Sequence, residues 1–307
     1  MLVLKTINLM KKQLFLISFI ILAITQVAFA QDDLLNMLQS ETAQKPTPIY
    51  ATFKSTRVIN LQSNETMKAK HLDFRIQHRF GPIKNGAYDL FGLDGAVLRL
   101  GFEYGLTDRL MIGIGRSTIG KTYDGLVKYQ LMQQQKKGNP IGITLFGSTA
   151  LSTLEWTDKT RNNLFSSRLS YTAQAIISKK INDKFSVIIS PSMVHYNLVA
   201  DKATPNDIFA VGIGTSIKLS RSIRFTAEYI PRLNGREFPL LPNGDPSFYD
   251  AVAFGVDIET GGHVFQLHFT NATGLIEQQF IGRNANPTVG SELRFGFNLS
   301  RTFSFDK

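Results

Sequence analysis

From Ala51 onward, apolar and polar residues alternate one for one along most of the chain. In "KHLDFRIQHRF" Leu72, Phe74 and Ile76 are interleaved with Asp73, Arg75 and Gln77, so an extended backbone presents one oily and one charged face. "GAVLRLGFEYGL" sets Leu98, Leu100, Phe102 and Tyr104 against Arg99 and Glu103, and "ELRFGFNLSRTF" sets Leu293, Phe295, Phe297 and Leu299 against Glu292, Arg294, Asn298 and Ser300. A strand of a soluble sandwich shows the same alternation, so the connections between strands must discriminate.

The pattern predicts strands over 70–80, 95–105, 109–117, 122–131, 141–151, 167–178, 184–196, 207–219, 222–231, 250–259, 263–272 and 291–303. Their lengths cluster near the roughly 9–11 residues that a tilted membrane strand needs. Long links such as "GPIKNGAYDLFGLD" and "PRLNGREFPLLPNGDPSFY" alternate with short ones such as "LTD", "KIND", "RS" and "TGG". This asymmetry predicts an all-β fold: a transmembrane, antiparallel, up-and-down β-barrel of about 12 strands (12 to 14), with tight periplasmic turns and longer outer loops. The links after Ser117 and after Leu131 break the alternation. An even strand count puts both ends of the barrel on the short-turn side. "TFKSTRVINLQ" (52–62) also reads as a strand, and a thirteenth would reverse that topology. It is therefore expected to be periplasmic, to be an inserted plug, or to mark a strand merged or missed elsewhere.

Upstream, "MKKQLFLISFIILAITQVAFA" from Met10 has a basic start, an apolar run from Leu14 to Ile24, and Ala28-Phe29-Ala30 before Gln31. This is the pattern of a secretory signal peptide, residues 1–30. The apolar run is shorter than a spanning helix needs, and no later run approaches that length. Gln31 in place of Cys argues against a lipid anchor. "DDLLNMLQSE" (32–41), with Leu34, Leu35 and Leu38, predicts a short periplasmic helix, and "AQKPTP" ends it. The expected organisation is signal peptide 1–30, periplasmic helix and linker 31–50, and barrel 51–307.

Composition narrows the chemistry. The 307 residues include 0 Cys, which excludes disulfides and thiolate chemistry together. The formal charge of +10 stays positive once Lys5, Lys11 and Lys12 leave with the signal. Outside the cytoplasm this favours anionic solutes or headgroups over nucleic acid. With 23 Phe and 9 Tyr against 1 Trp, residues such as Tyr104, Tyr123, Tyr129, Tyr171, Tyr229, Phe265 and Phe269 suit interfacial aromatic girdles. The polar phase of the strands marks Asp73, Arg75, Arg99, Glu103, Asp124, Lys128, Lys218, Arg224, Glu228, Asp257, His268, Glu292 and Arg294 as lumen-facing candidates. Same-strand neighbours Arg99 with Glu103, Arg224 with Glu228 and Glu292 with Arg294 are expected to form ion pairs there. The signs nearly balance, so the lumen carries no prediction of anion selectivity.

"GRSTIGKT" (115–122) matches the phosphate-loop pattern at every position. Export to a compartment without a nucleotide pool and the lack of repeated strand-helix units argue against nucleotide binding; a turn between two strands uses Gly115 and Gly120 more simply. His268 and Thr270 share a face with Gln266, a weak echo of a lipase dyad. His263 and His268 lie five apart, on opposite faces, which opposes a shared metal. No catalytic residue, metal, cofactor or nucleotide is expected.

"STRVINLQSNET…LDFRIQHRFG" together with "LRLGFEYGLTDRLMIGIGRS" resembles an uncharacterised Bacteroidetes family of predicted outer-membrane β-barrel proteins, over about Ala51 to Phe305. The resemblance implies a barrel fold and an envelope location, and brings no substrate or active-site residue. The expected protein is a non-enzymatic barrel of the Gram-negative outer membrane. Its partners are outer-membrane lipid, the barrel-insertion machinery that reads the aromatic last strand, and a periplasmic partner engaged through 32–41. A passive channel or transporter for small polar solutes is the leading expectation. A closed structural or partner-binding barrel is the second, and an outer-membrane lipid hydrolase using His268 the third.

Overall fold

Each alternating segment is a strand in the computed structural model, which describes residues 47–200, 202, 204–235, 247–287 and 292–305. The expected signal peptide and the helix over 32–41 lie outside the described residues. The strands are β1 (His71–Pro82), β2 (Ala96–Gly105), β3 (Leu110–Ser117), β4 (Thr122–Met132), β5 (Gly142–Ser152), β6 (Leu169–Lys180), β7 (Phe185–Tyr196), β8 (Asp207–Lys218), β9 (Ile223–Ile230), β10 (Ala251–Thr260), β11 (His263–Thr270) and β12 (Arg294–Ser304). Each pairs antiparallel with its sequence neighbours, and β12 closes on β1 from Leu72↔Phe303 to Arg79↔Gly296. All twelve expected strands are present, with ends shifted by a few residues at most.

The faces are inverted relative to a soluble protein. Leu100, Phe102 and Ile114 on the outer wall are 42%, 45% and 66% exposed, whereas Arg75, Arg99, Glu103 and Lys128 are 1%, 0%, 0% and 0% exposed. A sandwich would bury the first set and solvate the second, so the barrel reading of the alternation is the correct one. Oily side chains facing outward are what a hydrocarbon solvent requires, and closure leaves no strand edge unpaired in it.

The core sits in the lumen and has two walls. Phe146, Ile176, Ile188 and Ile208 of β5 to β8 form an apolar side. Arg75, Arg79, Arg99, Glu228, Gln266 and Asn298 of β1, β2, β9, β11 and β12 form a charged and polar side.

The two irregular links have local causes. After β3 the chain reverses in a three-residue turn, Ile119–Lys121, with Gly120 at φ 63 in the left-handed region that glycine tolerates. After β4 the link is longer because it receives the incoming chain: Lys136 N donates to Thr47 O at 3.0 Å, Ile49 N to Gln134 O at 2.8 Å, and Pro48 bridges Gln135. The segment over 52–62 is not a thirteenth strand. It lies inside the barrel, the plug placement among the sequence expectations.

Candidate functional site

The inserted segment enters at the short-turn end. Its exit is pinned there, where Thr66 Oγ1 donates to Asp108 O at 3.0 Å and Ala69 N to Asp108 Oδ1 at 3.1 Å. Within the lumen it folds on itself as a tight hairpin: Val58 N donates to Leu61 O at 2.8 Å, Ser63 N to Thr56 O at 2.9 Å, and Arg57 bridges Gln62. The tip is held by one carboxylate. Glu228 accepts the successive amides of Ile59, Asn60 and Leu61 at 3.2, 2.9 and 3.0 Å, an arrangement in which a turn of backbone N–H groups cradles an anion.

The hairpin is amphipathic across its width. Val58 and Leu61 are fully buried in the apolar cluster. A Cβ on Gly212 would lie 2.6 Å from Leu61 Cδ2, so the side chain seats only because β8 carries glycine there. The polar edge meets the charged wall: Thr56 donates to Glu103 at 2.5 Å, Arg75 donates to Thr56 Oγ1 at 2.8 Å, and Arg79 donates to Asn60 Oδ1 at 2.9 Å. Lys128 donates to the carbonyls of Thr56, Ser63 and Glu65, and Arg224 to those of Thr52 and Ala51. Gln266 and Asn298 donate to Val58 O and Ile59 O at 2.6 and 3.0 Å. Burial pushes the Glu65 carboxyl of the hairpin above the usual carboxylate range, against the opposing amides of Phe53 and Thr52 and the charge of Lys128.

The expected lumen-facing set thus divides. Arg75, Glu103, Lys128, Arg224 and Glu228 hold the hairpin directly. Asp73 pairs with Arg75 at 2.8 Å, and Asp124 receives Arg99 Nε at 2.9 Å. Asp257 accepts Gln266 Nε2 at 3.1 Å. Arg294 is buried at the long-loop end of β12, and Lys218 is half-buried at the short-turn end of β8. Glu292 precedes β12 and pairs with Lys84 of the β1–β2 loop.

The same-strand ion pairs are corrected by these contacts. Arg99 forks onto Asp124 two strands away, and Glu103 faces Arg75 at 3.9 Å. Glu228 holds hairpin amides and Glu292 holds Lys84, because the inserted chain and the loops offer these carboxylates nearer partners; Asp73 with Arg75 on β1 is a same-strand pair that does form. His268 is 1% exposed with Nδ1 3.2 Å from Gln266 O, sealed in the lumen and away from the lipid-facing surface that a hydrolase would use. The phosphate-loop match also dissolves. Gly115 lies in β3, where a Cβ would fall 2.3 Å from Arg99 Nη2; its small size admits a guanidinium. Among the described residues no cluster of His, Asp and Glu suits a metal.

At the opposite end the link between β11 and β12 folds inward. Its short helix α1 (Glu277–Phe280) is buried, with Phe280 fully enclosed. Glu277 Oε1 receives both Arg57 Nη1 and Gln62 Nε2 at 2.8 Å, and both partners of the ion pair are inaccessible. A segment from each end of the barrel therefore meets in mid-lumen.

Above α1 lies a cup of about 810 Å³ at the long-loop end, with Gln278 and Gln279 on its floor. Arg168 stacks over Trp156 and Arg283 over Tyr196 on its wall, each with the guanidinium carbon 4.2 Å from the ring centre. Sequence reading missed Arg57, Glu277 and these cup residues, which lie in the inserted segments, in the long links or, for Tyr196, at the very end of β7. The Arg57 and Asn60 of "STRVINLQ" were visible as polar interruptions of an apolar segment, but the turn lacks the Asn-Gly or Asp-Gly pair that announces a hairpin.

Residues 53–303 match the family described as "Membrane bound beta barrel domain (DUF5777)". Among solved structures, the NanC porin is 11% identical, with 77% of this chain and 100% of that chain covered, at a TM-score of 0.47. An outer membrane channel from Pseudomonas putida F1 is 14% identical over 78% and 98% of the two chains, at 0.46. The KdgM porin is 9% identical over 77% and 99%, at 0.44. No curated protein matches the sequence.

Proposed function

Because the chain belongs to this family of membrane-bound β-barrel domains, we propose that it is an outer-membrane conduit for small polar solutes that rests closed, with the hairpin of residues 51–66 as its gate. The observation that carries this reading is the buried Arg57–Glu277 junction, where the hairpin meets the loop that folds in from the other end. There the two inserted segments meet across the lumen, with both side chains of the pair buried.

The hold is releasable. The hairpin is bound through side chains and adds no strand to the sheet, so it can leave without breaking a single rung of the barrel ladder. Its departure would expose a wall of balanced charges that water and polar solutes can wet. Export through residues 1–30 and a periplasmic lead-in over 31–50 belong to the same proposal. A partner that grasps residues 32–41 would then pull on the chain feeding the gate.

A second reading, a permanently closed structural or partner-binding barrel, is favoured by how many charged-wall hydrogen bonds the hairpin occupies. Single-channel conductance of residues 31–307 separates the two. Asn60 Nδ2 and Thr270 Oγ1 are 3.4 Å apart, and with 0 Cys in the chain an Asn60→Cys/Thr270→Cys pair forms a clean lock. The expected record is rare openings in the unmodified protein, frequent ones in Glu277→Gln, and none in the oxidised lock until reductant is added. Steady conductance that the lock does not change would end the gate. Silence even after deletion of 51–66 would leave the closed reading standing.

A further inference from the structure

We infer that the cup at the long-loop end is a binding site for a small organic anion, a carboxylate or phosphate carried on a ring-shaped or apolar body. This names the solute class of the conduit proposed above, and depends on that reading only for the passage of a bound solute through the barrel.

The volume of about 810 Å³ lies in the range that takes a drug-sized ligand. Much of the wall is apolar, with Ile119, Leu154, Leu198, Val199, Phe248 and Ile276, so the body of a ligand is desolvated there. Charge on the wall is one-sided. Arg168 donates to the carbonyls of Ser152 and Leu154 and rests on Trp156; Arg283 donates to Leu198 O at 3.3 Å and rests on Tyr196. Carbonyls and ring faces orient a guanidinium without neutralising it. Among the described residues neither arginine has a carboxylate partner. Each has five N–H donors and spends only one nitrogen on these contacts. Among the described residues the one lining carboxylate, Glu155, is solvent-exposed and paired with Lys159 at 3.0 Å.

Two oriented guanidiniums with no carboxylate partner among the described residues, in a half-enclosed apolar cup, select an anion, because charge-assisted and forked hydrogen bonds strengthen where water is excluded. A neutral molecule of the same shape gains only the apolar contacts, and a cation is repelled. The site also touches the gate: Gln278 and Gln279 on the floor directly follow Glu277, the residue that holds Arg57.

Trp156 is the only tryptophan in the chain and lies in the cup, so its fluorescence reports on this site alone. The refolded chain, residues 31–307 in detergent, is titrated with benzoate, phenyl phosphate and phenyl glucuronide, and in parallel with neutral benzyl alcohol and cationic benzylamine. The expected result is a saturable, salt-sensitive change with one or more of the anions and none with the other two. Which of them binds separates carboxylate from phosphate. In Arg283→Gln, which leaves Trp156 and its stacked arginine untouched, the affinity is expected to fall at least tenfold, with the heat-modifiable gel shift retained as the check of folding. No saturable response to any of the three anions overturns the inference. So does equal affinity for benzyl alcohol, or unchanged affinity in Arg283→Gln. Because binding is read without conductance, a protein that binds anions yet never conducts would end the conduit and keep the site.

Discussion

Gly212 shows how one missing side chain decides where a segment goes. Leu61 is fully buried at that point, and a Cβ on Gly212 would stand 2.6 Å from its Cδ2. Gly212→Val must therefore displace the hairpin tip, a penalty of about 1–3 kcal/mol for overpacking, while the strand ladder around it stays paired. A Ser63→Cys reporter, fully buried and otherwise cysteine-free, is expected to be labelled by maleimide ~tenfold or more faster in the Gly212→Val background, since ~1.4 kcal/mol corresponds to a factor of ten. Labelling that does not accelerate would mean the tip is not seated on β8 as described. From sequence alone Gly212 falls within the strand predicted over 207–219. That a leucine 151 positions earlier in the chain occupies the space could not be read, because the contact is long-range and leaves no periodic trace. Gly115 teaches the same lesson: the phosphate-loop pattern is real as a string, yet its first glycine makes room for Arg99 and its second turns the chain.

At the scale of elements, the hairpin and α1 form a coupled pair. Arg57 and Glu277 are buried together, so removing one partner leaves an uncompensated charge that costs about 3–5 kcal/mol. The barrel ladder does not depend on this pair, and the expected response is undocking rather than unfolding. Arg57→Met and Glu277→Gln should each expose Lys54 and the rest of the hairpin to trypsin, and the double variant should recover most of the protection. Additive losses in the double variant would show that the two residues act independently. The strand segments were legible because alternation is a local property. The hairpin read as one further strand over 52–62, with an inserted plug among its expected placements; its fold-back was not legible, because each arm is only a few residues long.

The whole molecule is shaped by a solvent that is oil outside and chain inside. Long links gather at one end, and both barrel termini lie at the other; in the orientation expected of outer-membrane barrels the loop over 153–168 would face outward and the turn over 181–184 the periplasm. On intact cells, an impermeant maleimide is expected to label Asn162→Cys and to leave Asp183→Cys unlabelled until the outer membrane is permeabilised. The reverse pattern would invert the barrel, and with it the side from which the hairpin enters. The surplus positive charge lies on links and strand ends, including Lys136, Lys137, Lys179 and Lys180 at the short-turn end. The lumen itself is close to balanced.

The sequence by itself determined the barrel, its strand count within the 12 to 14 expected, the oily and charged faces of its clearest strands and the alternation of long and short links. These rest on a period of two and on strand lengths matched to a bilayer, both encoded within about ten consecutive residues. It also identified most of the charged residues that face the lumen. Tertiary structure alone decided what those residues do. Whether Glu228 faces water, a same-strand arginine or three hairpin amides depends on which distant segment fills the lumen. So does the difference between an empty lumen and a filled one. The cup adds a third case: Arg168 and Arg283 lie 115 positions apart, and only closure of the barrel brings them to one cavity wall.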